Sequence, residues 1–307
     1  MKIIAIAMDG TLLGTNGQVS RRNLEALEAA EAAGIEIVIA TGRRHCYAMH
    51  VLRDLHLHPD NALVSSNGTV IRTIGSTLLR RTHMDVDVAR DLCAHMRDFR
   101  STLVLTFDLV GPDGEDSRGA LTVENFAKLD SIIERWVRAN ERYIAEVSPI
   151  EDSLDGDPPI QMMFCGTQAH MLAAQNKMTE LPWVIAQDED EAPGAKIVLH
   201  KTVYPERDLC ILDVLPSGCS KASALRELAT MRGISISDVM AIGDNWNDVP
   251  MLDAAGLAVV MANAPAGVKT LAHERGWTVG LSNDEDGVAA AIETILREAN
   301  EPATMVV

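Results

Sequence analysis

Three apolar runs near the N-terminus each end in a small polar turn, and that repetition constrains the fold more than any other feature. The first is Ile3-Ile4-Ala5-Ile6-Ala7, running through Met8 into Asp9-Gly10-Thr11. The second is Ile35-Glu36-Ile37-Val38-Ile39-Ala40, ending in Thr41-Gly42-Arg43-Arg44. The third is Ala62-Leu63-Val64, ending in Ser65-Ser66-Asn67-Gly68. Helical spacing separates them: Leu24, Leu27 and Ala30 after a Ser20 cap and before Gly34, then Met49, Leu52 and Leu55. Such βα alternation predicts a parallel sheet whose working edge lies at the strand C-termini. Residues two apart share a face of a strand, so positions 7 and 9 both reach that edge from the first strand.

From about Met84 the rhythm changes. A helix is expected over Val86 to Arg97, a strand over Leu103 to Val110, and a turn at Gly111-Pro112-Asp113-Gly114. Helical stretches at about 125–139 and 168–180 interleave with strand candidates at 143–147, 160–165, 183–187, 196–200 and 208–214. Strands outnumber helices and adjacent ones suggest antiparallel hairpins, so this part reads as an α+β insertion. The acidic run 188–191 reads as a solvated loop, and the last residues, 303–307, as a frayed end. After Pro216-Ser217-Gly218 the first rhythm returns. Lys221 opens a helix, Val239–Ile242 is a strand ending in Gly243-Asp244-Asn245-Trp246-Asn247-Asp248, Leu257–Met261 is another strand, and a helix near 286–299 closes the chain. The expected architecture is α/β: a doubly wound, Rossmann-like parallel sheet from residues 1–83 and 215–307, with a cap domain, 84–214, inserted between them.

Charge narrows the partners. A formal net charge of −17, from 27 Lys and Arg against 44 Asp and Glu, leaves no basic stripe for nucleic acid or an anionic membrane. It does not forbid a phosphate site, which a few local cations and backbone N–H groups can build. The five cysteines are scattered, without a CxxC pair, and read as reduced packing residues of a cytoplasmic protein. The opening Met-Lys and apolar run resemble a secretory signal only until Asp9 breaks them, and no apolar stretch is long enough to span a bilayer. His45, His50, His56 and His58 show no metal spacing and read as surface residues. Trp246 reads as packing. The chain is expected to be a monomer or a homodimer.

Four turns carry the chemistry: Ala7-Met8-Asp9-Gly10-Thr11, Thr41-Gly42-Arg43, Lys221, and Gly243-Asp244 through Asp248. In this order, each at the end of an expected strand or the start of a helix, they resemble the haloacid dehalogenase superfamily of phosphohydrolases. The Asn67-Gly68 turn, the mid-chain insertion and the Pro-Ser-Gly-x-Ser-Lys approach to Lys221 resemble its Cof-type branch, with a type C2B cap. The resemblance implies Mg²⁺-dependent hydrolysis of small phosphorylated metabolites, sugar phosphates first, through an aspartyl-phosphate. It implies that the backbone carbonyl of Asp9 and the carboxylate of Asp244 ligate Mg²⁺. Asp248 would act directly, through water, or by positioning Lys221. Gly10, Thr11, Gly42, Asn67 and Asn247 would stand around the substrate.

The residue types fit that chemistry. Phosphoryl transfer needs an in-line nucleophile, offset of charge on the equatorial oxygens, and a proton donor for the leaving group. Asp9 is placed to be the acid and then the base on the hydrolytic water. Thr41 offers a hydroxyl at a strand end, where it could equally cap the next helix. Lys221 is the point charge facing phosphate, and Arg43 either assists or is an exposed structural residue. Asp244 and Asp248 straddle one turn, and carboxylates clustered at a buried strand end need a cation; Mg²⁺, a hard ion with oxygen ligands, suits them. Asn67 is read either as facing substrate or as a left-handed turn residue.

One part is missing. The superfamily pattern is Asp-x-Asp-Gly-Thr, and its first Asp attacks phosphorus; here that position is Ala7. A methyl group can neither attack phosphorus nor ligate a metal. Either the chain is a deliberately disabled variant of an active phosphatase, or it is a natural pseudoenzyme that binds phosphorylated ligands. The first is preferred, because every other position of the constellation keeps the residue type that the chemistry needs. A phosphosugar mutase, which shares the fold and the first chemical step, is a third reading.

Overall fold

The computed structural model describes residues 1–111, 114–186 and 193–300. Part of the turn expected at 111–114, the acidic run 188–191 and the terminal residues 303–307 lie outside the described residues.

The chain begins β1 (Ile3–Ala7), α1 (Arg21–Ala32), β2 (Glu36–Ala40), α2 (His45–Leu52) and β3 (Ala62–Ser65). Ser20 caps α1, its side chain accepting from the backbone N–H of Asn23. A hairpin, β4 (Val70–Thr73) and β5 (Leu78–Arg81), follows. It escaped the periodicity because β5 is largely exposed and both strands carry arginines, features of a sheet edge. The inserted part then runs α3 (Val86–His95), β6 (Leu103–Thr106), β7 (Leu121–Val123), α4 (Glu134–Asn140), β8 (Ile144–Glu146), β9 (Gln161–Gly166), α5 (Gln168–Met178), β10 (Val184–Ala186), β11 (Ile197–Tyr204) and β12 (Leu209–Pro216). The chain ends α6 (Lys221–Met231), β13 (Val239–Gly243), α7 (Val249–Ala254), β14 (Leu257–Val260), α8 (Ala266–Arg275), β15 (Thr278–Val279) and α9 (Gly287–Asn300).

Two sheets result. The first has the order β15-β14-β13-β1-β2-β3-β4-β5, parallel from β15 to β3 and antiparallel in the terminal hairpin. Alternation along β1 divides its faces. Ile4 and Ile6 join the apolar layer under α1, α2 and α9, while Ile3, Ala5 and Ala7 join the layer under α6, α7 and α8. Helices on both faces make the sheet doubly wound. The second sheet has the order β10-β11-β12-β9-β6-β7-β8 and is mixed. β11 and β12 form an antiparallel hairpin, but β10 pairs with β11, and β7 with β8, in parallel.

Several elements differ from the sequence expectation. The strand over Leu103–Val110 stops at Thr106, where Asp108 turns into a buried ion pair with Arg72 and Arg81. The helix over 125–139 is two short 3₁₀ turns followed by α4, because Asp130 accepts from the backbone N–H of Ile132 and starts a new turn. His45 is buried, not on the surface, packed at the start of α2. Burial pushes its imidazole down to about 4, so it packs as a neutral ring.

Candidate active site

Because β1, β2 and β13 are parallel neighbours, their C-terminal ends open on the same side of the sheet. The turns beyond them converge there with the start of α6. Above that edge lies a cavity of about 290 Å³, roofed by the second sheet. From the core, Ala7, Asp9, Thr41, Gly42, Arg43, Lys221, Asn247 and Asp248 line it. Ala7, the last residue of β1, is 2% exposed and lines this cavity, so the position where a nucleophile is expected is buried at its floor.

After β1 the chain turns sharply. The backbone N–H groups of Leu12 and Leu13 donate back to the carbonyls of Ala7 and Met8, at 3.2 and 2.9 Å. Gly10 takes φ +72°, and any side chain there would run into the Asp244 carboxylate. That close approach lets the Thr11 hydroxyl donate to Asp244 Oδ1 at 2.6 Å. Asp9 meets Arg43 in a two-pronged pair, Nε to Oδ2 at 2.8 Å and Nη2 to Oδ1 at 2.5 Å. Arg43 is therefore neither exposed nor idle: it holds the carboxylate expected to act as acid and base.

Thr41 does not cap a helix. The residue preceding α2 is Arg44, without a side-chain cap, and Thr41 lies three residues earlier. Its Oγ1 accepts from the Arg43 N–H at 3.1 Å, and its backbone is tied to β3 through Val64 and to Asn67. Lys221 is the first residue of α6, behind Ser220, whose side chain accepts from the Ser223 N–H. Its ammonium is 3% exposed and donates to Asp248 Oδ1 at 2.5 Å. The other Asp248 oxygen accepts from the backbone N–H groups of Asp244 and Asn245, both at 3.0 Å.

Asp244 is the unbalanced charge. Burial, and then the charge on Asp248, push its carboxyl well above the ordinary range, offset in part by the Thr11 hydrogen bond and Lys221. A carboxylate held this way favours a bound cation. The donors around it are hard oxygens, which fit Mg²⁺ better than a softer metal. Ala7 contributes none.

Asn67 satisfies its turn reading literally, with φ 52°, but it does not line the cavity. It is fully buried and ties three segments together. Its Nδ2 donates to Asp213 Oδ2 at 2.7 Å, and its Oδ1 accepts from Asn247 Nδ2 at 3.1 Å. Gly68 follows at φ +102°, where a Cβ would collide with the Ser220 carbonyl, so this turn can abut the start of α6 only as glycine. Trp246 packs among the apolar residues under α7 and α8.

The roof was not legible beforehand. Thr106, Leu121, Ile132, Trp136, Asn140 and Gln161 lie in it, with Met163, Cys165, Thr202, Tyr204, Arg207, Leu209, Ile211 and Asp213. One signal was available: Asp213 is a carboxylate inside the otherwise apolar run Leu209–Pro216. It is 4% exposed, bonded to Asn67 and to Gln161 Nε2, and burial pushes its carboxyl up to about 7. Cys46, His50 and Glu115 form a separate group at the cap–core junction, also bonded to Tyr143. Arg53 and Arg142 pair with Glu115 and supply its countercharge. All five cysteines are free and buried, and no helix among the described residues is long and apolar enough to cross a membrane.

A parallel sheet carrying this strand-end cluster beneath an inserted cap defines a class, and comparison with known proteins agrees with it. The chain belongs to the haloacid dehalogenase-like hydrolase family, whose model matches residues 4–292. It is 30% identical to the 5-amino-6-(5-phospho-D-ribitylamino)uracil phosphatase YwtE of Bacillus subtilis, over 96% of this chain and 98% of that protein. It is 28% identical to the phosphatase YwpJ of the same organism, over 96% and 100%. Among solved structures, BT1666 of Bacteroides thetaiotaomicron, described among the phosphatases of this superfamily, superposes with a TM-score of 0.72 at 25% identity. That match covers 96% of this chain and 94% of the other.

Proposed function

We propose that this chain is built on a Mg²⁺-dependent phosphomonoester hydrolase for small metabolites, and that with Ala7 it binds its substrate without cutting it. The observation that carries the proposal is the convergence of Ala7, Asp9, Thr41, Lys221 and Asp248 on one cavity floor from four separate stretches of sequence. In the parent reaction a carboxylate at position 7 attacks phosphorus, Asp9 protonates the departing oxygen, and Asp9 then takes a proton from the water that opens the aspartyl-phosphate. Lys221, the Thr41 hydroxyl and the N–H groups of the Gly10-Thr11 and Gly42 turns bind the phosphoryl oxygens. Arg43 sets the orientation of Asp9 and must release it for proton transfer, since the two are doubly bonded.

Asp244 and the backbone carbonyl of Asp9 would hold Mg²⁺, which when bound offsets charge on the phosphoryl group. Both oxygens of Asp248 are engaged by Lys221 and by backbone N–H groups, which supports a positioning role for it. Losing the carboxylate at position 7 weakens the metal site as well as removing the nucleophile.

Sugar phosphates remain the resemblance-based expectation for substrate. The similarity to YwtE, named for a phosphorylated ribityl compound, supports a phosphate on a polyol chain. The free cysteines support a cytoplasmic setting.

The deciding experiment is to restore the carboxylate with A7D and assay a panel of sugar phosphates and p-nitrophenyl phosphate with Mg²⁺. Release of phosphate well above the Ala7 chain is expected. No gain would refute the hydrolase and leave a phospholigand-binding protein, the second reading of Ala7. An isomerised ester in place of free phosphate would instead identify a mutase.

A further inference from the structure

Cap and core also meet at a cluster that phosphoryl transfer does not use. Cys46 and His50 stand four residues apart on α2, on the same face of the helix. The cap brings Glu115, from the segment between β6 and β7, and Tyr143, immediately before β8, against them. Cys46 Sγ lies 3.8 Å from His50 Nε2 and 3.2 Å from Glu115 Oε2, and those two atoms are 3.3 Å apart.

Hydrogen bonding alone leaves this arrangement crowded. A carboxylate oxygen has lone pairs for about two hydrogen bonds. Around Glu115 Oε2 stand Cys46 Sγ, His50 Nε2, Tyr143 Oη at 2.7 Å and Arg142 Nη2 at 2.6 Å. Tyr143 Oη is also 3.3 Å from both Cys46 Sγ and His50 Nε2. A thiol, an imidazole nitrogen and a carboxylate oxygen gathered in this way match the ligand shell of a tetrahedral ion. With bonds of about 2.3 Å to sulfur and about 2.0 Å to nitrogen and oxygen, such ligand atoms lie roughly 3.3–3.6 Å from one another. The separations here, 3.2, 3.3 and 3.8 Å, fall around that range.

We infer that Cys46, His50 and Glu115 form a site for a thiophilic divalent ion, Zn²⁺ by its ligand preference, which joins α2 of the core to the cap and is separate from the Asp244 cluster. Sulfur with imidazole selects such an ion over Mg²⁺, whose ligands are oxygens. On binding, the Cys46 thiol releases its proton to solvent, and the thiolate and the carboxylate then balance the charge of the ion. Arg142, whose side chain is 65% exposed, leaves Oε2 for solvent, while Arg53 keeps its pair with Oε1 at 2.9 Å. The ion enters past His50, which is partly exposed, since Cys46 and Tyr143 are buried. The Tyr143 hydroxyl, donating to Glu115, orients the carboxylate from outside the ligand shell. Histidine spacing carried no sign of this site, because one partner is a cysteine and another lies 65 residues beyond His50, in the cap.

The test is a titration of the Ala7 chain with Co²⁺, an optical stand-in for Zn²⁺, with Mg²⁺ in excess. Stoichiometric uptake with a thiolate-to-cobalt charge-transfer band in the near ultraviolet is expected, and Zn²⁺ added afterwards should bleach it. C46S should abolish the band. H50Q should weaken Co²⁺ binding at least about tenfold, while D244N leaves it within about twofold of the parent. Because Cys46 is buried and His50 is partly exposed, H50Q decides the matter if C46S fails to fold. No thiolate band, a band that survives in folded C46S, or an H50Q affinity equal to the parent's overturns the inference and leaves a hydrogen-bonded junction closed by Arg142. A band lost in D244N overturns it too, by assigning the ion to the Asp244 cluster.

Discussion

Asp213 sits between cap and core with its carboxyl pushed up to about 7, against 3.8 for an ordinary aspartate. The causes are burial, then the opposing hydrogen bonds from Gln161 and Asn67 and the charge of Lys221, which limit the rise. His200, directly opposite on β11, supplies no countercharge, because burial pushes its imidazole down to about 4 and it is neutral at pH 7. Between those two Asp213 values the native state holds a proton that the unfolded chain has released. Stability therefore falls as pH rises from about 4, by up to about 1.4 kcal/mol per pH unit, and levels off above 7. In D213N that loss is absent, since an amide does not ionise, and Gln161 can rotate to pair with it.

Integrating the two titrations between pH 5 and pH 8, D213N should gain on the parent by roughly 2.5 kcal/mol. His200 contributes the opposite slope, stability rising with pH from about 4 to 6.5, but it does so equally in both proteins and cancels in the difference. Urea unfolding followed by tryptophan fluorescence at intervals from pH 5 to pH 8 gives that difference. A gap between D213N and parent that stays constant across the range would refute the reasoning. It would mean that Asp213 is ionised throughout and held by its two amides.

Three further outcomes follow from the geometry. K221A leaves Asp248 buried without its cation and should cost about 3–5 kcal/mol by chemical denaturation, with loss of inorganic phosphate binding. G68A forces a side chain into a φ of +102° and against the Ser220 carbonyl, so it should destabilise by more than about 1 kcal/mol, visible as a lowered melting temperature. Mg²⁺ at about 100 times its Kd should add about 2.7 kcal/mol of stability, and D244N should abolish that gain while calcium-free, magnesium-free stability changes little or rises. Unchanged unfolding midpoints on adding the ion would remove Asp244 from the metal site.

The core was largely readable from local pattern. Parallel strands buried on both faces are written as continuous apolar runs, and β1, β2 and β13 are such runs, each ending in a polar turn. The β4–β5 hairpin was not readable, because an exposed edge strand can carry arginines such as Arg80 and Arg81 without an apolar signature. Along the cap the pattern located β6, β8, β9, β10, β11 and β12 but missed the three-residue β7 (Leu121–Val123), and it gave no strand its partner. Pairing β10 with β11, and β7 with β8, in parallel depends on contacts far apart in sequence.

What the sequence determined by itself is which residues stand at the strand ends: the Asp-Gly-Thr turn, the Thr-Gly-Arg turn, Lys221, the Asp244–Asp248 turn, and the methyl group of Ala7. These are local, because each residue's place follows from the strand or helix it terminates. What only the tertiary structure decided is how those ends are wired and what they face. Arg43, beyond β2, reaches Asp9, beyond the neighbouring β1, and Asn67 turns away from the cavity to hold Asp213 of the cap. The cluster of Cys46, His50 and Glu115 likewise exists only once the cap is folded onto the core. Side-chain pairing across 34 and 146 residues is set by packing and desolvation, which no local pattern encodes.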